Sequence, residues 1–196
     1  MPEAGTKSRR RADAERSIAA IHAAAVELLA ERPDASIGEI AAAAGVSRQT
    51  VYAHYDSRET LLTAVADRAL ADAVAAIDAA EPDRGAPTEA LERLIAAWWA
   101  TIEPHARVLE ALAPAFGSPS RIHELHAPIL ERLERLIRRG RRAGEFDPEL
   151  PVGWIASAFL ALMHAAAEEV AAGRLDADRA AEVLRRTVPR AFGAGG

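Results

Sequence analysis

The sequence contains no cysteine, which excludes disulfide bonds, thiolate metal sites and a cysteine nucleophile. Aromatic residues are also scarce, at 5% of the chain, although 50% of its residues are hydrophobic. Most of the apolar content is therefore alanine and aliphatic side chains. Alanine and leucine beside arginine and glutamate favour helix, and β-branched residues are too few to argue for strands. We predict a fold built from helices.

Long apolar segments are the second thing that the sequence has little of. We identify no apolar run near the roughly 18 residues that a transmembrane helix needs. The N-terminal stretch MPEAGTKSRRRADAER is charged and has no apolar segment of the kind found in a signal peptide. We therefore expect a soluble, cytoplasmic protein with no membrane partner, whose 196 residues suffice for a hydrophobic core.

Positive charge is in the minority, with 24 basic against 29 acidic residues and a net charge of −5. The whole deficit lies in residues 59–196, because residues 1–58 hold equal numbers of each sign. Residues 1–12 are predicted to form a flexible arm, with a basic cluster over residues 7–11. Such a cluster adds phosphate affinity without sequence information, and a solubilising tail has the same composition.

Apolar residues recur at steps of three and four along the chain, which is the period of an α-helix. Breaks at proline, glycine and serine divide the pattern into about nine helices, with no internal repeat. The segment EPDRGAP, residues 81–87, has the composition of a linker. The predicted helices cover residues 13–30, 37–44, 48–52, 57–80, 88–103, 104–116, a stretch from 122 to the basic run at 138–142, 151–172 and 176–192.

The stretch SIGEIAAAAGVSRQTVYAHYDSRETLL, residues 36–62, has the pattern of a helix-turn-helix: two short helices with a glycine at the turn. Gly45 suits a left-handed turn residue. Ser36, Ser47 and Ser57 occupy N-cap positions, and Glu39 lies three residues after Ser36, as in a capping box. Capping alone would also explain these serines, and a helix-turn-helix can also serve as a protein-packing unit.

Over residues 13–65 the sequence closely resembles the TetR family of bacterial transcriptional regulators. The resemblance rests on this helix-turn-helix, on the aromatic pair Tyr52 and Tyr55, and on the sequence SRETL at residues 57–61. Arg58 replaces the usual lysine and preserves its charge, and Tyr55 replaces the commoner phenylalanine. The resemblance implies an all-α fold with an N-terminal three-helix DNA-binding domain over residues 13–58. A connecting helix over 59–80 and a larger helical ligand-binding and dimerisation domain over 88–196 would follow.

The resemblance also implies an interface with double-stranded DNA. Arg48 and Gln49 lie at the start of the second short helix, and their side chains can pair with guanine and adenine in the major groove. Some family members read a base from the second residue after Ser36, but that residue here is Gly38, so base reading must come from the recognition helix alone. We assign Tyr55 to the core. The predicted DNA-binding residues are Ser36, Ser47, Arg48, Gln49, Thr50, Tyr52, His54 and Arg58. Of these, Ser36, Thr50, Tyr52, His54 and Arg58 are expected to contact the DNA backbone.

In the family, the middle helices enclose a cavity for an effector and the last two helices pair with a second chain. The helix over 151–172 is apolar on more than one face, which suits burial against its own body and a partner. The predicted pocket residues for a small hydrophobic effector are Trp98, Trp99, Phe116, His126, Trp154, Phe159 and Met163. The predicted homodimer seam comprises Ile155, Phe159, Leu162, Val183, Leu184 and Val188. Plain core packing also explains each of these side chains.

Other chemistry has little support in the sequence. His123 and His126 have an acceptable spacing for metal ligands, but no carboxylate–histidine motif of catalytic type accompanies them, and we predict no metal and no cofactor. No phosphate loop or nucleophile elbow is evident, so we predict no enzyme. We predict a DNA-binding transcriptional regulator, specifically a repressor released from a palindromic operator by its effector. The alternatives are a regulator of the same fold without a small-molecule ligand, and a helical enzyme that has lost DNA binding.

Overall fold

A computed structural model describes the chain at residues 3–106, 108 and 119–193. Within these ranges it contains nine α-helices, one 3-10 turn and no strand, so the predicted all-α fold is confirmed. The elements are α1 (Glu3–Glu31), α2 (Ile37–Ala43), α3 (Arg48–Tyr52), α4 (Arg58–Ala79), α5 (Pro87–Ile102), the 3-10 turn Glu103–His105, α6 (Pro119–Leu125), α7 (Ala127–Arg142), α8 (Val152–Ala171) and α9 (Ala177–Ala191).

The chain divides into two compact units, and the division falls inside α4, between Asp67 and Arg68. The first unit contains α1, α2, α3 and the start of α4. In it α2 packs against both α1 and α3, around fully buried side chains that include Ile21, Ile40 and Val51. The second unit contains the end of α4 and helices α5 to α9, with α8 packed against α7 and α9.

The two short helices of the first unit form because side chains satisfy their free N–H groups. The Ser36 Oγ accepts from the Glu39 amide at 3.3 Å, and the Glu39 carboxylate accepts from the Ser36 amide at 2.8 Å, which completes the predicted capping box. The Ser47 Oγ caps α3 by accepting from the Thr50 amide at 3.0 Å. Gly45, between the two helices, has a φ of 67°, the left-handed conformation expected of it.

The first helix is longer than the sequence pattern indicated. α1 begins at Glu3, so most of the predicted flexible arm, residues 3–12, is helical, and the basic cluster over residues 7–11 lies on this helix. Our prediction relied on the apolar period, which these polar residues lack. Their alanine, lysine and arginine are nevertheless good helix formers, and no proline follows Pro2 to interrupt them.

A break also divides the predicted helix that begins near residue 122. α6 ends at Leu125 and α7 begins at Ala127, with His126 between them. Pro128 explains the break, because in a continuous helix its nitrogen could not donate to the carbonyl of Glu124. The predicted helix over 104–116 begins as the 3-10 turn, and its later part lies outside the described residues.

The predicted linker over residues 81–87 lies within the second unit and is hydrogen-bonded to two of its helices. Arg93 of α5 and Arg139 of α7 donate to backbone carbonyls in and beside this segment at 2.5–3.2 Å, namely those of Ala80, Glu81, Pro82, Arg84 and Gly85. These bonds satisfy carbonyls at the C-terminal end of α4 and in the turn after it. Despite its linker-like composition, the segment is therefore a well-bonded connection.

The C-terminal end of α4 is also bound to α7 by a side-chain pair. Both oxygens of Asp78 accept from the Arg132 guanidinium, each at 2.6 Å, in the bidentate geometry that makes arginine–carboxylate pairs strong. This hydrogen bonding lowers the pKa of the Asp78 carboxyl, so the pair is ionised at neutral pH. This pair therefore couples a displacement of α7 to the C-terminal end of α4.

Helix α8 departs from our expectation that the chain has no apolar run long enough to span a membrane. By length and composition alone, α8 is apolar enough to cross a membrane. In the structure it is a packed helix of the second unit, and it buries Ile155, Phe159 and Met163 against neighbouring helices. Trp154, Ala161 and Ala165 on this helix are nevertheless exposed within the chain. A substantial apolar surface therefore remains on the other side of α8.

Candidate nucleic-acid interface

Helix α3 carries four of the eight predicted DNA-binding residues, namely Arg48, Gln49, Thr50 and Tyr52. Val51 faces the core and is fully buried, whereas Arg48 and Gln49 are exposed and Tyr52 is 42% exposed. This five-residue helix, anchored by Val51, thus presents Arg48, Gln49 and Tyr52 to solvent and leaves Thr50 half-buried. This is the arrangement that base reading in the major groove requires.

Arg48 and Tyr52 contact each other on this outer side. The Arg48 Nη2 donates to the Tyr52 Oη at 3.2 Å, and its Cζ lies 5.4 Å from the centroid of the tyrosine ring. Residues four apart on a helix share a face, so the contact is local and does not depend on the rest of the fold. Tyr52 therefore orients the guanidinium, in addition to the phosphate contact predicted for it.

The hydroxyl groups of the two predicted serines both take part in capping. The Ser36 Oγ donates to the Glu39 carboxylate at 2.8 Å, and the Ser47 Oγ lies 2.8 Å from the Thr50 Oγ1. Hydrogen bonds from Ser36, and then the charge of Arg32, lower the pKa of the Glu39 carboxyl. A carboxylate thus lies directly beside Ser36 and opposes a phosphate there. The phosphate contact of Ser36 and the DNA contact of Ser47 stay predictions.

Arg58 has a structural role that the sequence did not reveal. Its Nε donates to the carbonyl of Ala35 at 3.0 Å, and its Nη2 donates to the carbonyl of Pro33 at 2.6 Å. The start of α4 is thereby tied to the turn between α1 and α2. The guanidinium has five N–H groups, so a phosphate contact remains geometrically open and stays a prediction.

Tyr52 and Tyr55 differ in exposure as expected. Tyr52 is 42% exposed, whereas Tyr55 is only 7% exposed and lies in the core. Its hydroxyl is 2.7 Å from the Nε2 of His22 on α1, with the two ring centroids 5.8 Å apart. Burial raises the pKa of the Tyr55 phenol, which keeps it protonated. His54, half-buried, lies beside the same ring. A tyrosine in a position where phenylalanine is commoner signals a polar partner, but nothing in the sequence identifies His22.

We expect Tyr55→Phe to lower the free energy of unfolding by about 1 kcal/mol, because it removes one part-buried hydrogen bond without changing the ring. Urea denaturation of this variant, of His22→Leu and of the double variant measures the coupling free energy between the two side chains. The two changes should not be additive, since they remove the same interaction. Additive effects would show that the hydrogen bond contributes nothing.

Part of the predicted effector pocket forms an aromatic cluster in the second unit. The Trp98 ring stacks on Phe159 at a centroid distance of 5.3 Å and lies 5.8 Å from the ring of His126. Trp99 and Met163 are buried as well. Trp154 is 65% exposed and lies on the side of α8 opposite to Phe159. Our assignment of Trp154 to the pocket was therefore wrong. Phe116 lies outside the described residues.

Four of the six residues predicted for the dimer seam face the core of their own chain. Ile155, Phe159, Leu184 and Val188 are essentially inaccessible within one protomer, so they cannot bury further surface against a partner. The error arose because α8 and α9 direct their most apolar sides inward. Leu162 and Val183 are half-buried and stay candidates.

The two histidines with metal-ligand spacing lie in different environments, since His123 is exposed and His126 is buried. In the part of the chain that the structure describes, no three histidine, cysteine, aspartate or glutamate side chains come together as candidate metal ligands.

A capped helix-turn-helix with exposed polar side chains at the start of its second helix, joined to an all-helical second unit, is the architecture of a helix-turn-helix transcriptional regulator. The sequence profile of bacterial regulatory proteins of the tetR family matches residues 21–65. The chain is 36% identical over 156 residues, 79% of each protein, to the transcriptional repressor LfrR of Mycolicibacterium smegmatis. It belongs to the TetR family and is a DNA-binding transcriptional regulator.

Two further comparisons agree with this assignment. The transcriptional regulator NfxB of Pseudomonas aeruginosa is 27% identical over 166 residues, which are 85% of this chain and 88% of that protein. The crystal structure of LfrR from Mycobacterium smegmatis in complex with proflavine superposes with a TM-score of 0.65 at 29% identity. The superposition covers 88% of this chain and 95% of LfrR. The similarity therefore extends over both units.

Proposed function

We propose that the protein is a cytoplasmic repressor, without enzymatic activity, that binds a palindromic operator as a homodimer. A small hydrophobic effector bound in the second unit releases it from DNA. The exposed pair Arg48 and Gln49 on the capped helix α3 carries the proposal, because these side chains can each discriminate a base in the major groove. That its relative LfrR is named a repressor supports the direction of regulation.

In the proposed complex Arg48 and Gln49 read bases, and the side chains around them hold the DNA backbone. Thr50, Tyr52 and His54 flank the reading pair and can donate to phosphates without selecting a sequence. Ser36, Ser47 and Arg58 contribute secondary contacts in this arrangement, since each already has a partner within the protein.

The proposed dimer forms along the outward side of α8. A stripe of exposed and half-buried side chains recurs there at helical spacing: Trp154, Ala158, Ala161, Leu162 and Ala165. The small residues in its middle allow two helices to approach closely, and Val183 of α9 extends the apolar surface. A symmetric pair of such stripes would set the two α3 helices for the two half-sites of a palindrome.

The effector site that we propose is the aromatic cluster around Trp98. LfrR was solved with proflavine, a planar aromatic compound, and this chain is similar to LfrR over most of its length. Arg132 holds the end of α4 to α7, and α4 continues to Arg58 in the first unit. A ligand that displaces α7 would act on α4 through this pair, provided that it binds the DNA-free arrangement more tightly.

The test is a titration of an operator, selected from random DNA, in the presence and absence of proflavine. We expect proflavine to quench tryptophan fluorescence and to weaken operator binding about tenfold or more, the range of typical coupling energies. Quenching with unchanged operator affinity would show binding without regulation. Failure to select any DNA sequence would contradict the proposed function as a whole.

A further inference from the structure

The outward side of α8 carries two complementary side chains at equal distances from its middle. Ala161 lies at the middle, Trp154 lies seven residues before it and Glu168 seven residues after it, and all three are exposed. Seven residues are nearly two turns of an α-helix, so the three side chains share one side of α8. One end of this side thus presents an indole N–H donor and the other end a carboxylate acceptor.

These two end residues are left without a partner inside their own chain. At 65%, Trp154 has the largest exposed fraction among the large apolar side chains that the structure describes. The neighbouring Glu169 binds Arg174 at 2.7 Å, whereas Glu168 forms no ion pair within the described residues. Tryptophan is a residue type that often anchors protein interfaces, so a donor and an acceptor remain available for a second chain.

The hairpin of α8 and α9 is acidic at one end and basic at the other. Its two helices are antiparallel across a five-residue connection, and the Phe192 ring at the end of α9 lies 5.4 Å from that of Phe146, which precedes α8. Residues 168–182, around the connection, hold five acidic and two basic side chains, a net charge of −3. Residues 183–193, at the opposite end, hold three arginines and no acidic residue, a net charge of +3.

A two-fold axis can pair this hairpin with a second copy in two orientations. If the axis runs along α8, the two α8 helices are parallel, like charges meet and each Trp154 lies beside its own equivalent. If the axis crosses α8 at Ala161, the helices are antiparallel and the acidic end of each copy faces the basic end of the other. Charge complementarity favours the second orientation, because like charges placed together oppose association.

We propose that two copies pair with their α8 helices antiparallel about Ala161, so that Trp154 of each copy packs against the partner's Glu168. The indole N–H then donates to the carboxylate, twice in each dimer. Arg186 and Arg190 share a side of α9 with Val183 and face the acidic end of the other hairpin. The inference rests on the proposed homodimer and specifies the orientation of its copies and the contact that fixes it.

Because the chain has no cysteine, single introduced cysteines report the pairing. In the antiparallel dimer, positions 154 and 168 each lie about 21 Å from their own equivalents, from a rise of about 1.5 Å per residue. With a short bismaleimide we expect Ala161→Cys to cross-link to itself and neither Trp154→Cys nor Glu168→Cys to do so. Co-expressed Trp154→Cys and Glu168→Cys chains, one of them tagged, should cross-link to each other. Self-cross-linking of both end variants, or a dimer without any cross-link, would overturn the inference.

Two further variants test the contact itself by sedimentation equilibrium. Trp154→Ala and Glu168→Arg should each raise the dimer Kd about tenfold or more, and Trp154→Phe, which keeps an aromatic ring, should have a smaller effect. Glu92→Arg on α5 is the matched control, because this exposed glutamate lies on a different helix and should leave the Kd unchanged. Thermal melting verifies that each variant is folded.

The failure of this inference and the failure of the proposed function give different results. Normal dimerisation of both Trp154→Ala and Glu168→Arg would refute the contact, and operator binding by these dimers would leave the proposed repressor intact. A wild-type protein that stays monomeric on its operator would instead contradict the proposed homodimer, and the inference with it.

Discussion

Replacing Ala161 by arginine is expected to convert the proposed homodimer into monomers and to lower operator affinity by about a hundredfold or more. Ala161 is exposed within one chain and lies in the middle of the apolar stripe on α8, so the substitution leaves the core of the protomer untouched. In a symmetric seam, both copies would bury an arginine without a partner, and each such charge costs about 3–5 kcal/mol. Monomers would then engage half-sites singly and lose the gain from simultaneous binding.

Size-exclusion chromatography with light scattering, followed by operator titration, measures both effects. Ala100→Arg is the matched control, because Ala100 is likewise an exposed alanine but lies on a different helix, α5. It should remain dimeric with unchanged DNA affinity. A dimeric Ala161→Arg protein with normal affinity would rule out the α8 stripe as the seam.

The same experiment at Phe159 or Leu184 would give a different result. The sequence placed both residues at the seam, but both are fully buried within their own protomer. An arginine at either position would therefore unfold the second unit, and the loss of dimers would say nothing about the interface. The choice of Ala161 depends on the burial pattern of α8.

Arg48→Ala is expected to weaken operator binding by about 1–3 kcal/mol per half-site and to relax the preference at one base pair. The reason is that the exposed guanidinium can donate two hydrogen bonds to a single guanine. Its contact with Tyr52 orients it in the free protein, so Tyr52→Phe should retain the base preference with a smaller loss of affinity. Selection from a randomised operator, with affinities measured at two salt concentrations, separates these effects.

Thr50→Val is the control for Arg48, since Thr50 is proposed to contact phosphate. It should weaken all DNA sequences alike and leave the base preference unchanged. If the preference changed with Thr50→Val and not with Arg48→Ala, the two roles would be the reverse of those proposed.

The sequence alone predicted the helix-turn-helix because that motif is specified by neighbours. Ser36 with Glu39, Ser47 with Thr50, and Gly45 at the turn act within a few positions of one another, and each formed as predicted. The exposure of Arg48 follows from helical periodicity in the same way. Hydrogen bonds of this range depend little on the rest of the fold.

Only the tertiary structure decided which sides of α8 and α9 face inward, and which residues are joined over long separations. Asp78 and Arg132 are 54 positions apart, and His22 and Tyr55 are 33 apart, so no local pattern pairs them. Gly140 in α7 is another such case. Alanine would ordinarily favour the helix at this position, but an added Cβ would lie 2.1 Å from the Phe146 ring, so it is packing that requires glycine.

What the sequence determined by itself is the all-α class, the DNA-reading motif and the position of its caps, because helix period and capping are short-range effects. What the fold decided is which of several apolar sides of α8 the protomer uses. An alanine-rich helix has more than one such side, and packing against α7 and α9 selects Ile155, Phe159 and Met163 for the core. The other side, with Trp154 and Ala161, is left exposed, since burial depends on three-dimensional neighbours that a sequence pattern does not contain.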